Sequence, residues 1–419
     1  VSDPDVQPGR SLGLRQATAL IVGNIIGVGI FSLPGSLSAY GPITLLSMVL
    51  VTAGALALAL LFAGLSRRLP ADGGPYAYSR VAFGNGVGFF NGWSYWIMAW
   101  SGNAAIVTGW VLYVEYLLTQ GGAEPALPRW ALIGIALLGL WLPALINLNG
   151  VSKMASVQVV TTVLKFLALA VVSLVGVFFI DTANFRPWNV SGEPDRVAIG
   201  TGLALGLFSY LGVEAAAVAA GRVRDPDRTV PRASILGTSA CAVLYLVSLC
   251  VVFGVVPNSE LQESNAPFST AVNTMFGGSW AGYVMALAVV VSGFGALNGW
   301  MMLCGEMPLA AAKDGLFPER FGRLSGKGVP TFGIVISALL ASVFTVLSYL
   351  GSAGYTVFNT LVFMSGITAA IPFGFSAVAQ IKWRLRDGRQ LHTPRVARDV
   401  IVAVVAVVIN TIFGVGMSL

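Results

Sequence analysis

Charge is what this chain has least of. Of its 419 residues only 10% are Asp, Glu, Lys or Arg, against about 25% in an ordinary soluble domain. So few charges cannot cover a water-facing surface on a chain this long, which excludes a soluble enzyme and a disordered protein. Histidine occurs once, as His392. Cysteine occurs three times, as Cys241, Cys250 and Cys304, all in apolar stretches and without Cys-x-x-Cys spacing. No catalytic zinc site, Ser-His-Asp triad or disulfide framework can be assembled from these, so no metal or cofactor is expected. What is abundant is apolar: 56% of the chain, with a mean hydropathy of +0.80. The chain reads as an integral membrane protein with no room for a separate soluble domain. Its first fifteen residues are polar, contain Pro4, Pro8 and Gly9, and do not form a signal peptide.

A bilayer core takes about 20 apolar residues per helix. Apolar runs place two spans in 16–66, with a turn at Gly41-Pro42, then single spans at 81–114, 130–148, 154–180 with Lys165, 198–221 with Glu214, 233–256 and 281–312 with Glu306. Another long run, 328–381, holds two spans split near 351–354, and 400–419 is the eleventh. Net charge is +6. With the N-terminus inside, twenty of the 24 Lys and Arg fall in inside segments and three in outside loops, while Lys165 lies in the membrane. The basic excess thus marks inside loops rather than a nucleic-acid surface. The predicted organisation is an N-terminal segment 1–15, a first five-helix block 16–181, a second block 196–382, a basic loop 383–399 and the eleventh helix 400–419. A twelfth helix is expected to be absent.

Irregular backbone survives in a membrane only inside protein or beside a water-filled cavity. The first span reads Gly23-Asn24-Ile25-Ile26-Gly27-Val28-Gly29-Ile30-Phe31. Its glycines favour either close helix packing or an unwound segment, whose free N–H groups and following half-helix point at an anion. The sixth span reads Phe208-Ser209-Tyr210-Leu211-Gly212-Val213-Glu214, a weaker break signal with one glycine. Spans one and six each open a block of five. Interrupted helices at matching positions of two halves point to a transporter site.

These residues resemble the amino acid–polyamine–organocation transporter family. The first-span motif followed by Leu33-Pro34 is similar to the family's first helix. Tyr210 to Glu214, then Ala219-Ala220-Gly221 and Pro226 to Pro231, are similar to the sixth helix and its loop. Gly295-Ala296-Leu297-Asn298-Gly299-Trp300, continuing to Ala310-Ala311-Ala312-Lys313-Asp314-Gly315-Leu316-Phe317-Pro318, most resembles the basic amino acid/polyamine antiporter branch. The resemblance implies an all-α integral membrane fold of two inverted five-helix repeats. Helices 1 and 6 would be interrupted, one or more further helices would follow, and transport would run by alternating access.

A zwitterion crossing a low-dielectric layer needs both charges satisfied. The Gly27-Val28-Gly29 backbone offers donors to a carboxylate, and carbonyls around Phe208, Ser209 and Leu211 offer acceptors to an ammonium. The resemblance assigns substrate contacts to Ile25, Gly27, Val28, Gly29, Asn103, Phe208, Ser209, Leu211, Trp300 and Ser365. Trp300 matches a tryptophan that stacks on the substrate cation. Phe208 matches an aromatic that closes over substrate, and Tyr95, Glu214 and Phe373 match a deeper gate. Read as bare residues, Trp300 is also an ordinary packing tryptophan, and Asn103 and Ser365 are ordinary interhelical hydrogen-bond partners. Glu214 is either a proton carrier or an acid that locks its span. Val28 stands where the branch tends to carry Ser, which removes one hydroxyl donor. Lys165 resembles a fifth-helix lysine whose ammonium takes the place of a sodium ion and braces helix 1. Glu306 replaces what is commonly a neutral amide.

The expected function is secondary active amino acid transport across the cytoplasmic (inner) membrane, exchanging cationic amino acids and related amines. The alternative is a proton-coupled or facilitative permease for neutral amino acids. No enzymatic activity is expected. Expected partners are the substrate, protons, the bilayer and a second copy in a homodimer, and not nucleic acid.

Overall fold

The computed structural model describes residues 12–119, 121, 126–351 and 355–387. Most of the N-terminal segment, His392, the basic loop from 388 and the eleventh span lie outside the described residues, and so does the question of a twelfth. Among the described residues, nine helical stretches are long and apolar enough to cross a membrane, the first counted through its break. The broken sixth span makes ten.

The first span is two helices, α1 (Leu14–Ile25) and α2 (Gly29–Leu37). Gly41, at φ +86°, turns the chain into α3 (Thr44–Arg68), the second span. The expected third span starts too early. Gly84, at φ +94°, separates a short α4 (Pro75–Phe83) from the crossing helix α5 (Asn85–Leu118). Spans four and five are α6 (Arg129–Leu148) and α7 (Val151–Gly176). The sixth is α8 (Asp195–Phe208), a break, and the single turn α9 (Ala215–Val218). The seventh is α10 (Pro226–Val255). Two short helices follow that the apolar runs did not reveal, α11 (Asn258–Glu263) and α12 (Pro267–Phe276). Spans eight to ten are α13 (Trp280–Lys313), α14 (Thr331–Gly351) and α15 (Tyr355–Arg386). Five crossings reverse the side on which a block starts, so the second block is inverted relative to the first.

Burial separates two kinds of span. The most hydrophobic stretch of the first span is 94% buried and that of the fifth only 33%. The fifth therefore turns a wide apolar face outward, including Val160, Val163, Leu167 and Leu174. Such a face is stable against lipid and not against water. Trp130, Trp188 and Trp280 stand exposed at or near span ends, where amphipathic rings suit the membrane interface.

Candidate functional site

The first break is three residues long, 26–28. It strands the last carbonyls of α1 in the protein interior, where an unmet group costs several kcal/mol in hydrocarbon. Each stranded carbonyl is taken by a side chain from another span. Lys165 Nζ on α7 donates to Gly23 O at 2.9 Å, Trp300 Nε1 on α13 to Asn24 O at 3.2 Å and Tyr245 OH on α10 to Ile25 O at 2.6 Å. Ser292 Oγ on α13 donates to Ile26 O at 3.4 Å. The N–H groups behave differently. Those of Val28, Gly29 and Ile30, at the start of α2, find no acceptor among the described residues.

The sixth break is six residues long, 209–214. Ser209, Tyr210 and Leu211 N–H fold back onto Gly206, Leu207 and Phe208 carbonyls. The carbonyls of Ser209, Tyr210 and Leu211 find no donor among the described residues. Gly212 lies at φ +112°, where only glycine rests without strain. A Cβ there would sit 2.8 Å from Asn24 Cβ and 3.1 Å from the Asn24 carbonyl carbon, because the sixth break crosses the end of α1 at this point. Gly29 packs under the Phe208 ring, 3.3 Å from where its Cβ would be.

Between the breaks is a hollow of about 10 Å³ of free space for the centre of a water-sized sphere, room for about one water. Ile25, Gly27, Gly29, Phe208, Ser209, Leu211, Trp300 and Ser365 all line it, as do Asn24, Gly102 and Ile106. Among the described residues no carboxylate does. Phe208 is closed down, edge-on to Phe358 at 6.2 Å between centroids. Ser365 Oγ donates to Met98 O at 3.2 Å. Two expected contacts stand apart from the lining. Asn103 points its Nδ2 at Ala99 O and at Cys304 Sγ, between α5 and α13. The Val28 side chain packs into Gly109 of α5 and Gly293 of α13, leaving only its backbone N–H for the site.

Asn24 is the residue the sequence reading missed. It is buried at the hollow, and among the described residues neither its Oδ1 nor its Nδ2 has a partner. Its place inside the glycine motif was the available signal. Gly102 and Ile106, also missed, gave none, since other glycines and apolar residues recur along α5.

Tyr95 OH donates to Glu214 Oε1 at 2.9 Å, and Gly212 N–H donates to Glu214 Oε2 at 3.2 Å. Glu214 thus joins α5 to the sixth break. Phe373 is buried with its ring edge-on to Phe62. Lys165 is fully buried, so its ammonium does not reach an interface. Glu306 has a structural partner: it pairs with Arg222 at 2.9 Å, and Arg222 Nη2 also donates to Gly328 O. On the same side of the molecule, Arg80 pairs with Asp314 and Lys313 with Asp72, and Leu12 bridges to Val223. This layer lies on the side that carries the start of α1.

Comparisons with known proteins agree with this geometry. The sequence model of the amino acid permease family matches residues 12–418. The cadaverine/lysine antiporter of Escherichia coli (strain K12) is 30% identical over 380 residues, covering 89% of this chain and 84% of that one. A putative arginine/ornithine antiporter of Bacillus subtilis (strain 168) is 31% identical over 429 residues, covering 95% and 90%. A putrescine transporter of Escherichia coli (strain K12) is 31% identical over 374 residues, covering 89% and 83%. Among solved structures, the substrate-bound, outward-open state of a Na+-coupled sialic acid symporter superposes with a TM-score of 0.55 at 12% identity, covering 96% of this chain and 90% of that one. That likeness shows the fold alone. Broken first and sixth spans around a buried polar hollow, on a chain matched from end to end, identify a membrane transporter and not an enzyme: the chain belongs to the amino acid permease family.

Proposed function

We propose that this transporter exchanges cationic amino acids and related amines by alternating access, with its N-terminus on the cytoplasmic side. One observation carries the reading: the two breaks that border the hollow leave open backbone groups of opposite kind. The free N–H groups of Val28, Gly29 and Ile30 make a donor half, suited to a carboxylate at a helix N-terminus. The free carbonyls of Ser209, Tyr210 and Leu211 make an acceptor half, suited to an ammonium. Trp300 lines the wall, where an indole face attracts a second cation by about 0.5–2 kcal/mol. With no carboxylate in the lining, that cation is held without a fixed counter-charge and leaves readily. Relatives named for lysine, cadaverine, arginine, ornithine and putrescine exchange or transport support the cationic class. The hollow is smaller than any amino acid, so loading requires Phe208 to lift or the charged layer around Arg222 and Glu306 to part. Asn24, with an amide lacking partners, is a further group for the substrate's polar atoms. Glu214 is the proton carrier in this reading, and the working unit is a homodimer.

Counterflow in proteoliposomes tests the proposal. Labelled lysine should enter only when unlabelled lysine, ornithine, arginine or cadaverine is loaded inside. Uptake of a neutral amino acid driven by a pH gradient, without internal substrate, would replace exchange with a proton-coupled permease.

A further inference from the structure

Tyr245 has no role in the functions assigned so far, yet it stands at the junction of four spans. Its hydroxyl donates to Ile25 O in the first break at 2.6 Å. Its ring lies against Tyr210 of the sixth break, with centroids 5.1 Å apart and planes at 57°. The Tyr210 hydroxyl continues to Thr52 Oγ1 on α3 at 2.7 Å. Tyr245 itself belongs to α10, which packs on both α1 and α3. All three side chains are buried, with Tyr245 fully so. One continuous path therefore links the first, second, sixth and seventh spans at the depth of the breaks.

We infer that Thr52, Tyr210 and Tyr245 form a clasp that fixes the spacing between the donor half and the acceptor half of the site. Both breaks lack the ladder of backbone bonds that would hold them in place. The clasp holds each at one point: Ile25, three residues before the first open donor, and Tyr210 amid the free carbonyls. Tyr245 and Tyr210 are thus positioning residues, since neither lines the hollow. The spacing matters only to a substrate that touches both halves at once. An α-amino acid does so through its carboxylate and α-ammonium. A diamine has no carboxylate and gains nothing from the donor half. The clasp consequently favours the amino acid over its decarboxylated amine. This last consequence rests on the proposed function; the clasp itself does not.

The test is Tyr245→Phe in the full-length protein, which removes one hydroxyl and keeps the ring. Lysine binding should weaken by about fivefold, the size of one net hydrogen bond, while cadaverine binding changes less than about twofold on the same ground. A general packing defect would weaken both alike, and that equal loss would overturn the specificity role. Amide hydrogen exchange is the readout that needs no substrate. It should quicken over 25–30 and over 209–213 together; unchanged exchange over 209–213 would overturn the clasp. If the wild-type protein binds neither ligand, the proposed function fails, and the exchange result still decides the clasp. Should Tyr245→Phe not fold, Thr52→Val cuts the other end of the path and is read by the same exchange over 209–213.

Discussion

The two broken spans solve the same problem in opposite ways. The first span carries three glycines in seven residues, yet its break is the shorter and none of the three lies at positive φ. The sixth carries one glycine in its break, and that single residue at φ +112° accompanies the longer unwinding. The glycines of the first span serve close approach instead: Gly23 faces Gln158 and Thr162, Gly27 faces Ala296 and Gly29 faces Phe208. The polar consequences also diverge. At the first break the carbonyls of Gly23 to Ile26 are taken by other spans, and the N–H groups of Val28, Gly29 and Ile30 are left open among the described residues. In the sixth the carbonyls of Ser209, Tyr210 and Leu211 are left open among the described residues, and Gly212 N–H is taken by Glu214. A break is therefore defined by which backbone groups its neighbours leave unmet, and glycine content alone does not report that.

Substitutions at four positions would break or sharpen this contrast. The largest effect is expected at Gly212→Ala. The new Cβ meets the backbone of Asn24, which cannot step aside, and the positive φ adds strain of about 1–3 kcal/mol. Transport should be lost and the thermal midpoint lowered, whereas Gly23→Ala, whose neighbours are movable side chains, should be the milder change. Equal effects at both would dissolve the distinction between a conformational and a packing glycine.

Next is Lys165→Ala. It leaves Gly23 O buried and unmet, at a cost of about 1–3 kcal/mol. Flux should fall while the protein still folds, as judged by gel filtration and far-UV circular dichroism. Unchanged flux would remove Lys165 from the mechanism and show that capping the first break is dispensable.

The smallest effect is expected from Trp300→Leu. Cationic substrates should lose about 0.5–2 kcal/mol of binding relative to neutral ones, read as a ratio of dissociation constants. Trp300→Phe should keep part of that preference while losing the hydrogen bond to Asn24 O. An equal loss for both substrate classes would make Trp300 a cap of the first break and nothing more.

Much of this was legible beforehand, for identifiable reasons. The ten described spans follow from apolar length with at most one charge in each, because a bilayer demands it. Exceptions arose where charge gave no mark: Gly84 divides α4 from α5 without an ionic residue beside it. Most of the hollow's lining was also anticipated, because the breaks carry their own motif. Partners far apart in sequence were not legible. Glu306 finds Arg222, 84 positions away, through the packing of α13 against the loop after α9. Val28 and Asn24 show the same limit at neighbouring scale: which way each side chain points depends on spans α5, α7 and α13, not on the motif.

The sequence by itself determined that this chain lives in a membrane, how often its described part crosses, and where its first span weakens. Hydrophobic length and scarce charge act locally, residue by residue, and need no partner to take effect. Only the tertiary structure decided which backbone groups stay open, since Lys165, Tyr245, Ser292 and Trp300 must arrive from three other spans to fill the rest. In a solvent that offers no hydrogen bonds, what remains unfilled is left for the cargo.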